Sequence, residues 1–478
     1  MTREPQGRVK FPLFFAWLHT TNTLQLGLIV LSATVAIIIG VSGFFYRASY
    51  TPLLAGGALV TAAILLAFLR RPVWALYSAL FVVFLPIGLI PPEIHSILNR
   101  SLTVIALATW LFDLVVRQRR VVWTGAATFM LVFLTWGCVT LIWAEDRTMG
   151  SIVLQTYSLR LILFLLLIPN LIRTMDALHG LMKILALDGL VLMGAGAVTI
   201  LLQGLSSGTR LKVLDVNENG LGILALVTIL GILWQVHRPS KRNSIGIAAA
   251  IAFLALAMVL VALSGSRGSA ISLLVMLFVF CLWKLTRIWG ISGFLILAAG
   301  IVIAPFLFST TLERFTVIRG DTLLGGREAL WQAAWKLILD HPWRGVGIGN
   351  APIAMIPYTR FFMSVWEMGI VAVHNPVLSI WAETGLPGVL LYLAVLGSAI
   401  WRFSFQYRRS RKAGARLSIS YFALVSSVMI GYMFSWIKGG GMESDFSYFL
   451  LLALLLLPSG VDFERAEKSH QPERPSKG

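Results

Sequence analysis

The stretch AMVLVALSGSRGSAISLLVMLFVF, Ala257 to Phe280, decides the fold. An apolar run ends at Leu263, a second begins at Ile271, and between them stands a short turn of serine, glycine and one arginine, Arg267. Neither run alternates as a half-buried strand would, and each belongs to a segment near the ~20 residues that span a ~30 Å hydrocarbon core. Two such runs joined by a tight turn read as a hairpin of membrane helices. Gly265 and Gly268 permit the turn, while Ser266 and Ser269 can cap the helix that follows. The guanidinium of Arg267 is thereby held near one depth, with no acid beside it in sequence.

The rest of the chain repeats this pattern. Hydrophobic residues make up 58% of 478 and charged residues 13%, whereas a soluble domain is about 45–50% apolar. The reading is an all-α, polytopic transmembrane helical bundle of about 12–14 spans. Fourteen runs can be placed, near 25–44, 51–69, 73–90, 101–116, 126–143, 159–172, 182–203, 220–236, 245–263, 269–283, 291–308, 386–402, 418–437 and 446–458. They divide the chain into a cytoplasmic N-terminal segment (1–24), a transmembrane bundle (25–308), a large periplasmic loop with amphipathic helices (309–385), C-terminal transmembrane helices (386–458) and a disordered cytoplasmic tail (459–478). No removable signal peptide precedes the first run. The two cysteines, Cys138 and Cys281, lie inside apolar runs and read as packing residues.

A formal net charge of +18 could suggest nucleic acid. Most of the 39 basic residues, however, fall in alternate connections, as in RRSRK at 408–412, so the positive-inside rule accounts for them as cytoplasmic loops. No nucleic-acid partner is expected, only membrane lipids. The same rule puts Arg267 on the opposite, outer face.

The segment from about Ser309 to Gly385 is the one long extramembrane stretch, and long loops on a rigid scaffold usually carry function. Within it, GREALWQAAWKLILD reads as a helix from Arg327 to about Asp340 lying on the membrane surface. Leu330, Trp331, Ala334, Trp335, Leu337 and Ile338 form one face and Glu328, Gln332, Lys336 and Asp340 the other. Arg327 stands at its N-terminus, where the helix dipole disfavours a cation unless an anion is near. Preceded by Gly325 and Gly326, that terminus has the character of a phosphate site. After the turn-rich HPWRGVGIGN comes VHNPVLSIWAETGLPG. Here Asn375 can cap a helix starting at Pro376, Gly385 can end it, and Pro387 can start the next span. His374 sits at the joint.

Charged groups at membrane level are costly and commonly mark substrate pathways. Arg267, Arg327, Arg210 in the outer connection SSGTRLKVLDVNENG, and Arg160 early in its span are candidates to bind an anion, and His374 is a candidate base. Each has a plainer alternative: snorkelling for Arg267, a local ion pair for Arg327, a structural role for Arg210 and Arg160, and a carbonyl bond for His374. The chain has no DxD, P-loop, HExxH or GxSxG motif. Chemistry on the outer face would then draw on energy stored in the substrate, as in a lipid-linked glycosyl diphosphate, with arginines neutralising the diphosphate.

SGSRGS, then GREALW with DHPWRGVGIGN, then HNPVLSIWAETGLPG, together with DVNENGLG, resemble the bacterial O-antigen ligase and polymerase superfamily over roughly residues 150–400. His374 and Asn375, followed after nine intervening residues by the Gly-x-x-Gly of Gly385 and Gly388, are similar to the ligase form of its motif. The resemblance implies a C-type glycosyltransferase-like fold at the periplasmic face of the bacterial inner membrane, working without cofactor, metal or ATP. The implied donor is an undecaprenyl-diphosphate-linked glycan. A ligase passes the glycan to lipid A–core, and a polymerase passes it to another lipid-linked repeat. By carry-over Arg267 and Arg327 bind the diphosphate and His374 acts as base or orients the acceptor. The sequence departs from the ligase pattern in its span number and in placing Leu330 three residues after Arg327. A transporter of an anionic lipid or solute is the alternative from another class, although its binding residues usually gather at the midplane of paired halves.

Overall fold

The computed structural model describes residues 50–203, 213, 216, 218–237, 244–307, 327–359, 372–413, 416–439 and 446–457. Arg210 and the first predicted span lie outside these residues. Among the described residues there is no sheet, only one isolated bridge between Val213 and Val216. Seven described helices are long and apolar enough to cross a membrane; a bent helix pair could make an eighth, and four shorter apolar helices accompany them. The protein is an all-helical, multi-pass membrane protein.

The chain forms two compact units. The first comprises residues 1–76 and 104–120. Its described part holds α1 (Tyr50–Arg70), the start of α2 (Pro72–Phe84) and the later part of α3 (Pro92–Arg117). Asp113, 3% exposed, receives Arg117 at 2.7 Å and Arg119 at 3.3 Å, so its buried charge is paired twice. Arg117 also donates to the Arg70 carbonyl at 2.8 Å, giving the end of α1 the cation that its unpaired carbonyls favour.

The second unit contains residues 77–103 and everything from Val121 on. Its helices are α4 (Gly125–Thr140), α5 (Arg147–Leu171), α6 (Met175–Gln203), α7 (Glu218–His237), α8 (Ser244–Leu263), α9 (Arg267–Leu282), α10 (Arg287–Leu307), α11 (Arg327–Asp340), α12 (Pro376–Ala413), α13 (Arg416–Trp436) and α14 (Phe446–Leu456). The most extensive contacts join α9 to α13, α6 to α7 and α4 to α12. In membranes such contacts depend on small residues that let backbones meet. A Cβ on Gly431 of α13 would stand 2.6 Å from the Ser272 carbonyl of α9, and the Ser272 and Ser435 hydroxyls bond across the same seam at 2.8 Å. The short α14 is buried from Ser447 to Leu456. Tyr448 within it stacks on Trp436 and Tyr392, with ring centroids 5.2 and 5.7 Å away.

Two expectations change. The run predicted at 159–172 is the later part of α5, which starts at Arg147 with Asp146 accepting the Met149 N–H as its cap. It passes through a π-helical segment, Leu161–Leu167. On α11 the buried stripe is Leu330, Ala333, Ala334, Leu337 and Ile338, with Trp335 46% exposed. Leu330, Ala334, Leu337 and Ile338 pack with Ala351, Met355, Val373 and Ala382, so most of the face assigned to a membrane surface is covered by the protein itself. Ala333 is buried in that stripe, while Trp335 sits at its edge with its ring against Trp381 of α12, centroids 5.7 Å apart.

Candidate functional site

The site is built around a break in α12. Asn375 Oδ1 accepts the Val377 and Leu378 N–H groups at 3.0 and 3.1 Å, capping the helix at the predicted place. Just ahead of the cap His374 adopts φ 53°, a left-handed conformation that a non-glycine residue keeps only when its surroundings hold it there. At Gly385 the helix breaks, with φ 68° and ψ −173°. Such backbone is open essentially to glycine alone.

A break inside a helix frees carbonyls that need partners. The loop 341–350 supplies most of them. Val346 N–H donates to the Ala382 carbonyl at 2.9 Å and Gly347 N–H to the Glu383 carbonyl at 2.8 Å. Trp136 Nε1 of α4 donates to the Thr384 carbonyl at 2.7 Å. In return, Leu386 N–H and Trp381 Nε1 donate to the Pro342 carbonyl at 2.9 and 3.1 Å. The Glu383 carboxylate, 8% exposed, accepts the Gly349 N–H at 2.9 Å and the Ser379 hydroxyl at 3.2 Å. Asn350 fastens the loop's end to the start of α5, accepting the Asp146 N–H at 2.7 Å and donating to the Asp146 carbonyl at 3.1 Å. GVGIGN therefore joins α11, α12, α4 and α5 into one braced block that presents Arg327 and His374.

Arg267 comes from elsewhere. Ser266 caps α9 by accepting the Ser269 N–H at 3.3 Å, and Gly265 takes φ 62° in the turn before it. Arg267 is thus the first residue of α9, and the α9–α13 seam decides its neighbours. An ideal Cβ on Gly268 would lie 3.9 Å from the Ser435 hydroxyl. Past Ser435, α13 closes in a turn in which Lys438 N–H donates to the Ser435 carbonyl at 3.1 Å and Gly439 N–H to the Trp436 carbonyl at 2.9 Å. Lys438 therefore sits at the same end of the bundle as Arg267.

Electrostatics tie the two parts together. Burial first, and then the nearby Arg327 guanidinium, hold the His374 imidazole below its ordinary range. Burial, Arg327 and Arg267, in that order, hold the Lys438 ammonium below its own. Arg267, Arg327, His374 and Lys438, all half-buried, converge on one region. Three permanent or near-permanent cations beside a neutral imidazole form a place where a polyanion relieves repulsion and a proton acceptor is at hand.

Of the residues singled out in the sequence, Arg267, Arg327 and His374 are brought together. Arg160 is 6% exposed, with its guanidinium carbon 3.6 Å from the ring centroid of Phe446, the first residue of α14. Lys438 was missed, although a lysine in a connection that the expected topology puts outside, where the positive-inside rule leaves few, is itself a signal. Glu383 was missed because its backbone partner, the Gly349 N–H, comes from a loop distant in sequence.

This fold defines a multi-pass membrane protein, and the cluster gives it a group of cations beside a histidine. Residues 251–393, which carry Arg267, Arg327 and His374, match the family described as O-antigen ligase. Over 374 residues it is also 25% identical to the teichuronic acid biosynthesis protein TuaE of Bacillus subtilis (strain 168), covering 73% of this chain and 74% of that protein. These likenesses support a membrane glycosyltransferase of ligase or polymerase type.

Proposed function

We propose that the protein transfers a glycan from an undecaprenyl-diphosphate-linked donor to an acceptor hydroxyl at the periplasmic face of the bacterial inner membrane, in the manner of an O-antigen ligase acting on lipid A–core. The observation that carries this reading is the convergence of Arg267 and Arg327 beside a His374 imidazole kept neutral by burial and by Arg327. In the proposed reaction the two guanidiniums hold the diphosphate, and the acceptor oxygen bonds to the anomeric carbon. The bond from that carbon to the diphosphate oxygen breaks, leaving its electron pair on the diphosphate, and the acceptor proton passes to the imidazole of His374. A diphosphate leaves without being protonated, so the scheme needs no general acid. Arg160, fixed on Phe446, and Arg210 complete the proposed donor-binding set.

A second reading, polymerisation of lipid-linked repeats, is favoured by the likeness to a protein of teichuronic acid biosynthesis, which extends over a longer stretch than the ligase-family match. Purified protein in lipid nanodiscs, given a lipid-linked glycan and an acceptor, tests the shared chemistry. His374→Ala and Arg267→Ala should abolish transfer while leaving the protein folded in the membrane, and full activity in both variants would refute the proposal. Deleting the gene separates the readings: unattached lipid-linked polymer marks a ligase, and single repeats on the core mark a polymerase.

A further inference from the structure

We propose that Lys438 is the third cation of this site, placed to receive the negative charge that appears on the diphosphate as the glycosidic bond breaks. This rests on the function proposed above and goes beyond it, since Lys438 lies outside the segment 251–393 that matches the ligase family.

The argument begins with charge counting. In the intact donor the diphosphate is esterified at both ends and carries two ionised oxygens. When the anomeric carbon–oxygen bond breaks, the electron pair stays on the departing oxygen and a third negative charge develops there. Arg267 and Arg327 match the two charges present throughout. Only a cation whose interaction grows during the reaction lowers its barrier, and a compact ammonium with three rotatable donors suits a charge concentrated on one oxygen.

Geometry puts Lys438 in position. The Ser272–Ser435 bond and the Gly431 contact lock α9 against α13, and the turn after Trp436 is fixed by the Lys438 and Gly439 N–H groups. The backbone of Lys438 is thereby held at the end of α13 that packs beside Gly268, next to Arg267. A lysine at a helix C-terminus is ordinary when it merely complements the helix dipole. Here the same lysine is half-buried beside two guanidiniums, Arg267 on α9 and Arg327 on α11, which oppose its charge. Complementing a helix end does not account for that company, whereas binding a polyanion would use all three cations.

The test is binding, measured without turnover, of two defined probes to protein in nanodiscs: undecaprenyl diphosphate, whose free terminal phosphate carries the third charge, and undecaprenyl diphosphoryl-N-acetylglucosamine, which lacks it. Wild type should favour the first by roughly ten- to a hundredfold, the range of a charge-assisted hydrogen bond. Lys438→Met should erase that preference while keeping affinity for the glycosylated probe, and Lys438→Arg should restore much of it. In turnover, Lys438→Met should lower kcat with little change in KM. A preference unchanged in Lys438→Met overturns the assignment, as does an equal loss for both probes, which would mark a role in holding the ground state or the fold. If wild type binds neither probe, the proposed function itself fails.

Discussion

Replacing Gly385 by alanine tests whether the break in α12 braces the site. Alanine there must adopt φ 68° and ψ −173°, which costs about 1–3 kcal/mol. Its Cβ would also lie 2.1 Å from the Trp343 carbonyl oxygen and 2.7 Å from the Arg344 nitrogen. These are backbone atoms that cannot rotate aside, so the loop 341–350 must move. Moving it strains the bonds from Leu386 to Pro342, Val346 to Ala382 and Gly347 to Glu383, each contributing about 0.5–1.5 kcal/mol net. Losing two of them on top of the backbone strain gives a destabilisation of about 4 kcal/mol. Equilibrium unfolding in mixed micelles of rising SDS fraction, followed by tryptophan fluorescence, measures it. Gly397→Ala is the control, because on the same helix its Cβ would meet nothing within 4 Å. It should be neutral or stabilise by up to about 1 kcal/mol. A Gly385→Ala protein within about 0.5 kcal/mol of wild type would refute the account of the break.

The remaining expectations concern the same block. Glu383→Ala leaves the buried Gly349 N–H without its acceptor and should cost about 1–3 kcal/mol in the same assay, while Glu383→Gln, which keeps an acceptor oxygen, should cost less; equal losses would show that the bond does not matter. The His374 imidazole, depressed first by burial and then by Arg327, stays neutral to lower pH than a free histidine, whose value is about 6.5. The acid limb of kcat/KM should therefore fall below that value. In Arg327→Gln, an NMR titration of His374 should move upward yet remain below the ordinary value, because burial persists; a downward move would contradict the proximity of the two groups.

What the sequence revealed was governed by local chemistry. The helix Arg327–Asp340, the Asn375 cap, the Ser266 cap and the break at Gly385 follow from capping side chains and from glycine's backbone freedom, and all appear where expected. The start of α5 did not, because RTMGSIVLQTYS looks too polar for a span. Its hydroxyls turn inward instead: Ser151, Thr156 and Ser158 donate to the carbonyls of Arg147, Ile152 and Leu154 at 2.8, 2.9 and 2.8 Å. Hydropathy counts those groups as exposed donors, while the helix has already satisfied them. The nearness of Lys438 to Arg267 was hidden for another reason. It depends on two serines and a glycine meeting across a seam, and no periodicity reports which helices meet.

The cations of the candidate site therefore belong to two separately braced parts. Arg327 and His374 ride on the block that the loop 341–350 ties to α12 through the Ala382 and Glu383 carbonyls, whereas Arg267 and Lys438 ride on α9 and α13 through Ser272, Ser435 and Gly431. The hydrogen bonds that brace each part run within it, and between them acts the repulsion of Arg327 upon Lys438. Under the proposed function a diphosphate reverses the sign of that interaction and binds the two parts to each other, so the group that leaves in the reaction also completes the site that cleaves it. Under that proposal the donor's diphosphate supplies an anion to Arg267, which has no acid beside it in sequence.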